Sequence, residues 1–451
     1  LDRVALTAQY LDRVARSGAK AGELIGAVAE SEMLRSFYHG RYLSRPLFVG
    51  HDEIQQLHAD VENLRAALAS LPDRLYDGDL AAYARAVGAN EVQVSAVLRS
   101  TGTPVTQLAR ADLYAEASGF RVLEFNIGSG VGGMDNADLC RGLLAHPLLA
   151  EFAETRQLGY VDSMREHVVN VLAGTGTDPG SFPMVALAAS PRMYDDIGVY
   201  MHHLALRWQE LGLDAHACRV EDLQLRGGRV WLGGRAVDIV YRLFLMDDFL
   251  EPEALTVMGP LLDAASRGEV EMFTPLDSEL LGNKSALAMI SDDRNRHLFT
   301  AGELASFDRI LPWTRHVRPG PVRLADGTSV DLLDYAVEHQ DDLVLKPSLL
   351  HSGWGVLLGW HPAVSPRLWR DRLADAMTGS WVLQRRVRPV PELFPDDEGE
   401  LIPWIVAWGV FTGVNGYSGM FARAATVTSD NSVIGVDTGA SGGCCLFGPA
   451  G

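Results

Sequence analysis

The chain has 451 residues, 47% of them hydrophobic and 22% charged, enough for two or three domains with sizeable cores. Its formal net charge of −19 argues against a protein that coats nucleic acid or an anionic membrane, because phosphate binding needs a basic face. A local basic pocket for a phosphate-bearing ligand is still allowed.

No apolar run approaches the ~18 residues of a membrane span, and no signal peptide is visible. The four cysteines, Cys140, Cys218, Cys444 and Cys445, show no C-x-x-C pairing, so neither zinc nor a disulfide framework is expected. A reducing cytoplasm is the default compartment. Leu1 stands where Met would, so a few native residues are expected to precede it.

Residues 1–100 read as helical. In "EIQQLHADVENLRAALASLPDR" the apolar positions Leu57, Val61, Leu64 and Leu68 keep helical spacing, and Pro72 is expected to stop the run. "LDRVA" occurs twice at a ten-residue offset, too short for a repeat module. Residues 101–180 form a second region. Its "TQLARADLYAE" and "RVLEFNI" flank "ASGF" with the turn glycine Gly119, which predicts a hairpin over 105–127. Helical composition follows over 134–175, then a Gly/Pro/Ser/Thr linker over 174–183.

Residues 181–275 read as a small α/β unit. "MVALAAS", "AHACRV" and "VDIVYRLF" are strands, and "DDIGVYMHHLALRWQELG" is an amphipathic helix ending at Gly212, so a parallel sheet is predicted. His202 and His203 are adjacent on that helix and face different ways, so they suggest packing rather than a metal site. Residues 276–451 are α+β. "LVLKP", "GVLLGW", "WVLQRRV" and the long "WIVAWGVFTGVNGYSGMFARAATV" read as strands, with helices around 284–312 and 365–378. The Trp-rich strand and Cys444–Cys445 read as packing.

The chemistry concentrates in a few stretches. Side chains alternate along a strand, so Glu124 and Asn126 point the same way. Asp112, with Arg110 two residues before it, shares a face of the preceding strand. A hairpin about Gly119 could gather all four groups. Two carboxylates and a carboxamide oxygen suit Mg²⁺, and arginine suits phosphate or carboxylate oxygens. A solvated strand face, which alternates in the same way, is the plain alternative. Further on, Lys284 opens a helix and Lys346 ends an apolar strand before a turn with Gly353 and Gly355. Gln384 lies inside a strand. Two lysines and a glycine turn can cradle phosphate, although no P-loop is present and most lysines serve solubility.

"RVLEFNIGSGVGGMDNADL" also carries Gly128, Gly130 and Gly133 as G-x-G-x-x-G, the fingerprint of a dinucleotide turn and hence of an NAD(P)-dependent oxidoreductase. That reading needs an acid about 20 residues on, at the end of a second parallel strand. The candidates, Glu151 and Glu154, fall in a helical segment, so the reading is demoted.

In order, R-x-D, E-x-N followed by Ser and Gly, N-K, and L-K-P with a glycine turn resemble the circularly permuted ATP-grasp ligases. These include eukaryotic-type glutathione synthetase and the synthetase domain of glutathionylspermidine synthase. "WVLQRRVRPVPELF" resembles their adenine-reading strand and "GMFARAATVTSDNSVIGVDTGASGG" their closing segment. "VDIVYRLFLMDDFLEP" is similar to shorter relatives. The landmarks run over roughly 105–450.

The resemblance implies an ATP-grasp fold with a Rossmann-like α/β unit and a helical N-terminal region. It implies ATP and Mg²⁺ as cofactors, and small-molecule acid and amine substrates joined through an acyl phosphate. Asp112, Glu124 and Asn126 would hold the metal. Lys284, Lys346, Gly353, Gly355 and Gln384 would bind nucleotide. Arg110 and Arg423 would be the catalytic cations, and Ser129, Gly130 and Arg242 would meet substrate. A homodimer is compatible with it. One departure matters: glutathione synthetase has a metal-binding glutamate in the lid turn, whereas residues 348–352 hold no carboxylate. A catalytically silent homologue acting as a binding module is therefore the alternative. The lack of an amidase-like domain argues against a bifunctional glutathionylspermidine enzyme.

Overall fold

The hairpin about Gly119 forms, from Ala109–Glu116 and Gly119–Ile127, with Gly119 at φ 114° closing the turn. The computed structural model describes residues 2–101, 105–350, 353–429 and 433–448. The hairpin is one side of a seven-stranded sheet. Beside Ala109–Glu116 lies Leu401–Gly413, then Gly416–Thr426, Ser441–Phe447 and Leu47–Val49, with Glu392–Pro395 also paired to Leu401–Gly413. All these pairings are antiparallel except the last step, Leu47–Val49 on Ser441–Phe447. That three-residue strand interrupts a region expected to be wholly helical.

The sheet has two chemically different faces because its strands alternate. Ala109, Ala111, Leu113 and Ala115 join one core with Trp408, Val410 and the buried face of helix His51–Ala69. Leu57, Val61, Leu64 and Leu68 of that helix are all buried, as their spacing predicts. Pro72 acts differently from expectation. It sits in the first turn of the next helix, Leu71–Tyr76, where a missing N–H costs nothing. The opposite face carries Arg110, Asp112 and Arg423.

The α/β unit is a parallel sheet in the order Glu271–Phe273, Ile239–Leu243, Met184–Ala189, Asp214–Arg219. Helix Pro191–Glu210 makes the crossover. His202 is exposed and bonded to Tyr194, and His203 is half-buried. A third sheet, antiparallel, orders Thr314–His316, Trp381–Arg385, Leu343–Pro347 and Leu357–Leu358. Helices Leu332–Glu338 and Pro366–Ala376 back it through Leu332, Ala336, Trp369 and Leu373. All four cysteines are buried and unpaired. Among the described residues, no helix is long and apolar enough to cross a membrane.

Candidate functional site

The hairpin register decides what the polar residues can do. Arg110 lies opposite Asn126, and Asp112 opposite Glu124. The four groups therefore share one face, as strand alternation requires. Between Asp112 and Leu113 the register slips, and Leu123 is the extra residue of a bulge. Its carbonyl is turned out of the ladder and accepts a hydrogen bond from Lys346 Nζ at 3.0 Å.

Asp112 is the centre of an ion cluster. Arg110 donates to both its oxygens, at 2.8 and 3.0 Å, and to Gly132 O at 2.6 Å. Arg423, two strands away, reaches Asp112 Oδ2 at 2.9 Å. It can do so because the intervening strand presents Ala407 and Gly409. A Cβ on Gly409 would lie 3.0 Å from Arg110 Cδ and 3.3 Å from Asp112 Oδ1.

Across the hairpin, Lys284 Nζ donates to Glu124 Oε1 at 3.0 Å and to Leu350 O at 2.8 Å. Lys346 is buried on the third sheet and also donates to Gln384 Oε1 at 2.7 Å. Its pKa is lowered to about 8, because burial penalises the charge and Lys284 stands nearby, with Glu124 opposing both. Gln384 in turn donates to Thr314 Oγ1 at 3.2 Å, so both ends of its amide are engaged.

These groups line one cavity of about 410 Å³. Ten of the thirteen sequence-derived candidates are on its wall: Arg110, Asp112, Glu124, Asn126, Gly130, Lys284, Lys346, Gly353, Gln384 and Arg423. Three are not. Ser129 is buried and bonded to Thr274, with its carbonyl accepting from Tyr241. Arg242 is fully buried and ion-paired to Glu279 at 2.6 Å, behind the wall. Gly355 lies off it, at φ 74°, where a Cβ would stand 3.0 Å from Pro347 Cγ. Gly353, at φ 73°, has room for no Cβ, since one would fall 2.6 Å from Val433.

Both Asp112 oxygens accept from arginines, and Asn126 Nδ2 also donates to Oδ2 at 3.4 Å, so Asp112 stands here as an ion-pair centre. Glu124, itself paired with Lys284, and Asn126 are the other two hard oxygen donors of the expected metal set, both at the wall. Mg²⁺ ordinarily takes one or two carboxylates and completes its shell with phosphate oxygens and water, so this smaller set fits. Among the described residues, no cluster of three or more His, Cys, Asp or Glu could hold a metal. Of the lid segment, Ser348 bonds Ser285 and Ser380, at 2.6 and 2.9 Å. His351 and Ser352 lie outside the described residues.

The sequence reading missed several wall residues. Asn283 caps the helix that begins at Lys284, and its buried Nδ2 finds no hydrogen-bond partner among the described residues. Its adjacency to Lys284 was the available signal. Val344, Leu358, Trp360 and Val387 form an apolar slot beside Lys346. Arg386 stacks on Trp360, 4.0 Å from the ring centroid. The G-x-G-x-x-G stretch follows an antiparallel hairpin strand, and Glu151 and Glu154 lie on helix Pro147–Arg156. A dinucleotide turn needs its strand in a parallel βαβ unit, whereas among the described residues Gly119–Ile127 pairs only with its antiparallel hairpin partner.

No family model matches the chain, and no curated protein matches it in sequence. Among solved structures it is similar to a glutathione synthetase-like effector from Globodera pallida in its apo form. The TM-score is 0.54 at 11% identity, covering 90% of each chain. It is also similar to a protein assigned as a gamma-glutamylcysteine synthetase from Methylobacillus flagellatus KT, with TM-score 0.42 and 12% identity over 84% of this chain and 88% of that one. The first likeness is one of fold, a mixed α/β arrangement shared along nearly the whole chain.

Proposed function

We propose that the protein is an ATP-dependent carboxylate–amine ligase with a circularly permuted ATP-grasp architecture. One observation carries this reading: on a single hairpin two arginines pair with Asp112, Lys284 pairs with Glu124 and Lys346 bonds the Leu123 carbonyl, inside one cavity with an apolar slot at its side. The slot formed by Val344, Leu358, Trp360 and Val387 suits a purine. Lys346 and Lys284 lie between it and the hairpin, where polyphosphate oxygens would replace their present partners.

Bound ATP and Mg²⁺ supply an electrophilic phosphorus and charge neutralisation. Glu124 and Asn126 would hold the metal. Arg110 and Arg423, oriented by Asp112, would hold the substrate carboxylate and the transferring phosphoryl oxygens. In balance, a carboxylate oxygen bonds to the γ-phosphorus as ADP leaves. An amine then bonds to the acyl carbon as phosphate leaves and the nitrogen gives up a proton. No side chain need act as nucleophile, and positioning supplies much of the rate.

Titration calorimetry should detect Mg·ATP binding, and acid–amine pairs should release phosphate with ADP rather than AMP. Glu124→Gln should lower turnover by several kcal/mol of barrier, roughly 10²-fold or more. Full activity in that variant would refute the metal role. The silent homologue is the second reading, favoured by the absence of a carboxylate among Ser348, Leu349 and Leu350. It predicts ATP binding with no phosphate release from any pair.

A further inference from the structure

We infer that the acid substrate carries an apolar side chain, as in a hydrophobic amino acid, rather than a second carboxylate. This rests on the ligase reading and deepens it. Beyond the ion cluster, the cavity wall is formed by Phe37, Val131, Met193, Ile197, Leu245 and Phe421. Val131 and Phe421 belong to one buried core, and Phe37, Met193 and Ile197 pack half-buried against it. Met193 and Ile197 are four residues apart on helix Pro191–Glu210, so they present one face.

This wall adjoins the arginines that would take the carboxylate. Arg423 lies over Phe421, 5.8 Å from the ring centroid. Arg110 donates to Gly132 O, in the loop that carries Val131. A Cβ on Gly132 would stand 3.8 Å from Phe37, and one on Gly130 2.8 Å from Leu245. An acid held at Arg110 and Arg423 therefore extends its chain onto apolar surface.

Charge points the same way. The lining cations are Arg110, Arg423, Lys284, Lys346 and Arg385. The first two serve Asp112, the lysines serve Glu124, Gln384 and backbone carbonyls, and Arg385 serves Glu116. Two acids flank Leu245: Asp248 accepts from the Leu245 N–H at 2.8 Å, and Glu279 accepts from Arg242 and from the Met246 N–H. A second substrate carboxylate would meet hydrocarbon and acids there, and the cation beside them among the described residues, Arg192, already pairs with Asp248 at 3.4 Å.

The test separates binding from turnover. Calorimetry with leucine, phenylalanine and glutamate, in the presence of Mg²⁺ and a non-hydrolysable ATP analogue, reads the pocket. Phosphate release with hydroxylamine as the amine reads the ligase chemistry. Leucine or phenylalanine should bind, and be turned over, about tenfold or more better than glutamate. Ile197→Arg should erase or invert that preference, and Met193→Ala should weaken the apolar acids alone, with melting curves confirming that both variants fold. Equal or reversed preference in the unaltered protein, or a preference that neither variant moves, overturns the inference. Selective binding of apolar acids without phosphate release upholds the pocket and overturns the ligase reading.

Discussion

Lys346 offers the sharpest physical test, because its environment sets both stability and ligand affinity. The lysine is buried, and its pKa falls from 10.5 to about 8. A fall of that size is worth about 3 kcal/mol. The sign follows from linkage. Below about pH 8 both folded and unfolded states hold the proton. Between about 8 and 10.5 the unfolded chain keeps it while the folded protein has released it, so stability rises with pH in that window. About 2 kcal/mol of the rise falls before about pH 9.5. Lys346→Met removes it. The absolute stability of the variant is a poor readout, because Gln384 Oε1 and Leu123 O lose a donor at ~1–3 kcal/mol each. The slope is the clean quantity. Urea unfolding of both proteins from about pH 7 to about 9.5 should show the difference in their stabilities changing by about 2 kcal/mol in the unaltered protein's favour, since groups common to both cancel. Parallel curves would refute the buried, charge-bearing environment. Mg·ATP affinity of the unaltered protein should fall over the same range as the cation is lost, and this dependence should vanish in the variant.

Asp112→Asn leaves Arg110 and Arg423 facing one another without their counter-charge, and should cost about 3–5 kcal/mol in urea unfolding. Gly133→Ala combines a φ of 90° with a Cβ 2.5 Å from the Phe421 ring, and should lower stability by about 1–3 kcal/mol, seen as a reduced Tm. Asp135 is fully buried beside Tyr38, and burial raises its pKa to about 7. The folded state holds its proton between about pH 4 and 7 where the unfolded state does not, so stability falls as pH rises through that range. Asp135→Asn should abolish that fall, worth up to about 4 kcal/mol, in unfolding measured on both sides of the window.

Some of this was legible in sequence, because it is local. The hairpin needs only a turn glycine and strand alternation, and those alone place Arg110, Asp112, Glu124 and Asn126 on one face. The parallel unit follows from strand–helix–strand composition. What was not legible depends on distant partners. Leu47–Val49 is a strand only because Ser441–Phe447 runs beside it. The bulge at Leu123, which frees the carbonyl for Lys346, leaves no mark in composition. Arg423 reaches Asp112 only because Gly409 stands between them. Ser129 follows the hairpin and Arg242 lies in "VDIVYRLF", and neither local sequence shows the bonds to Thr274, Tyr241 and Glu279 that hold them.

The ion cluster also resolves a tension in the composition. A chain of net charge −19 is an unpromising host for a polyanion. Yet the cavity is lined by five cations, Arg110, Lys284, Lys346, Arg385 and Arg423, against four acids, Asp112, Glu124, Glu279 and Asp437, a local balance of 5 − 4 = +1. Exposed surface charge is largely screened beyond about 8 Å at physiological salt, whereas these buried groups are screened much less. The local sign therefore governs what enters. Asp112 carries the same charge whatever it meets; tied to two arginines, it holds their guanidinium groups in fixed positions beside the lysines that an incoming phosphate would meet.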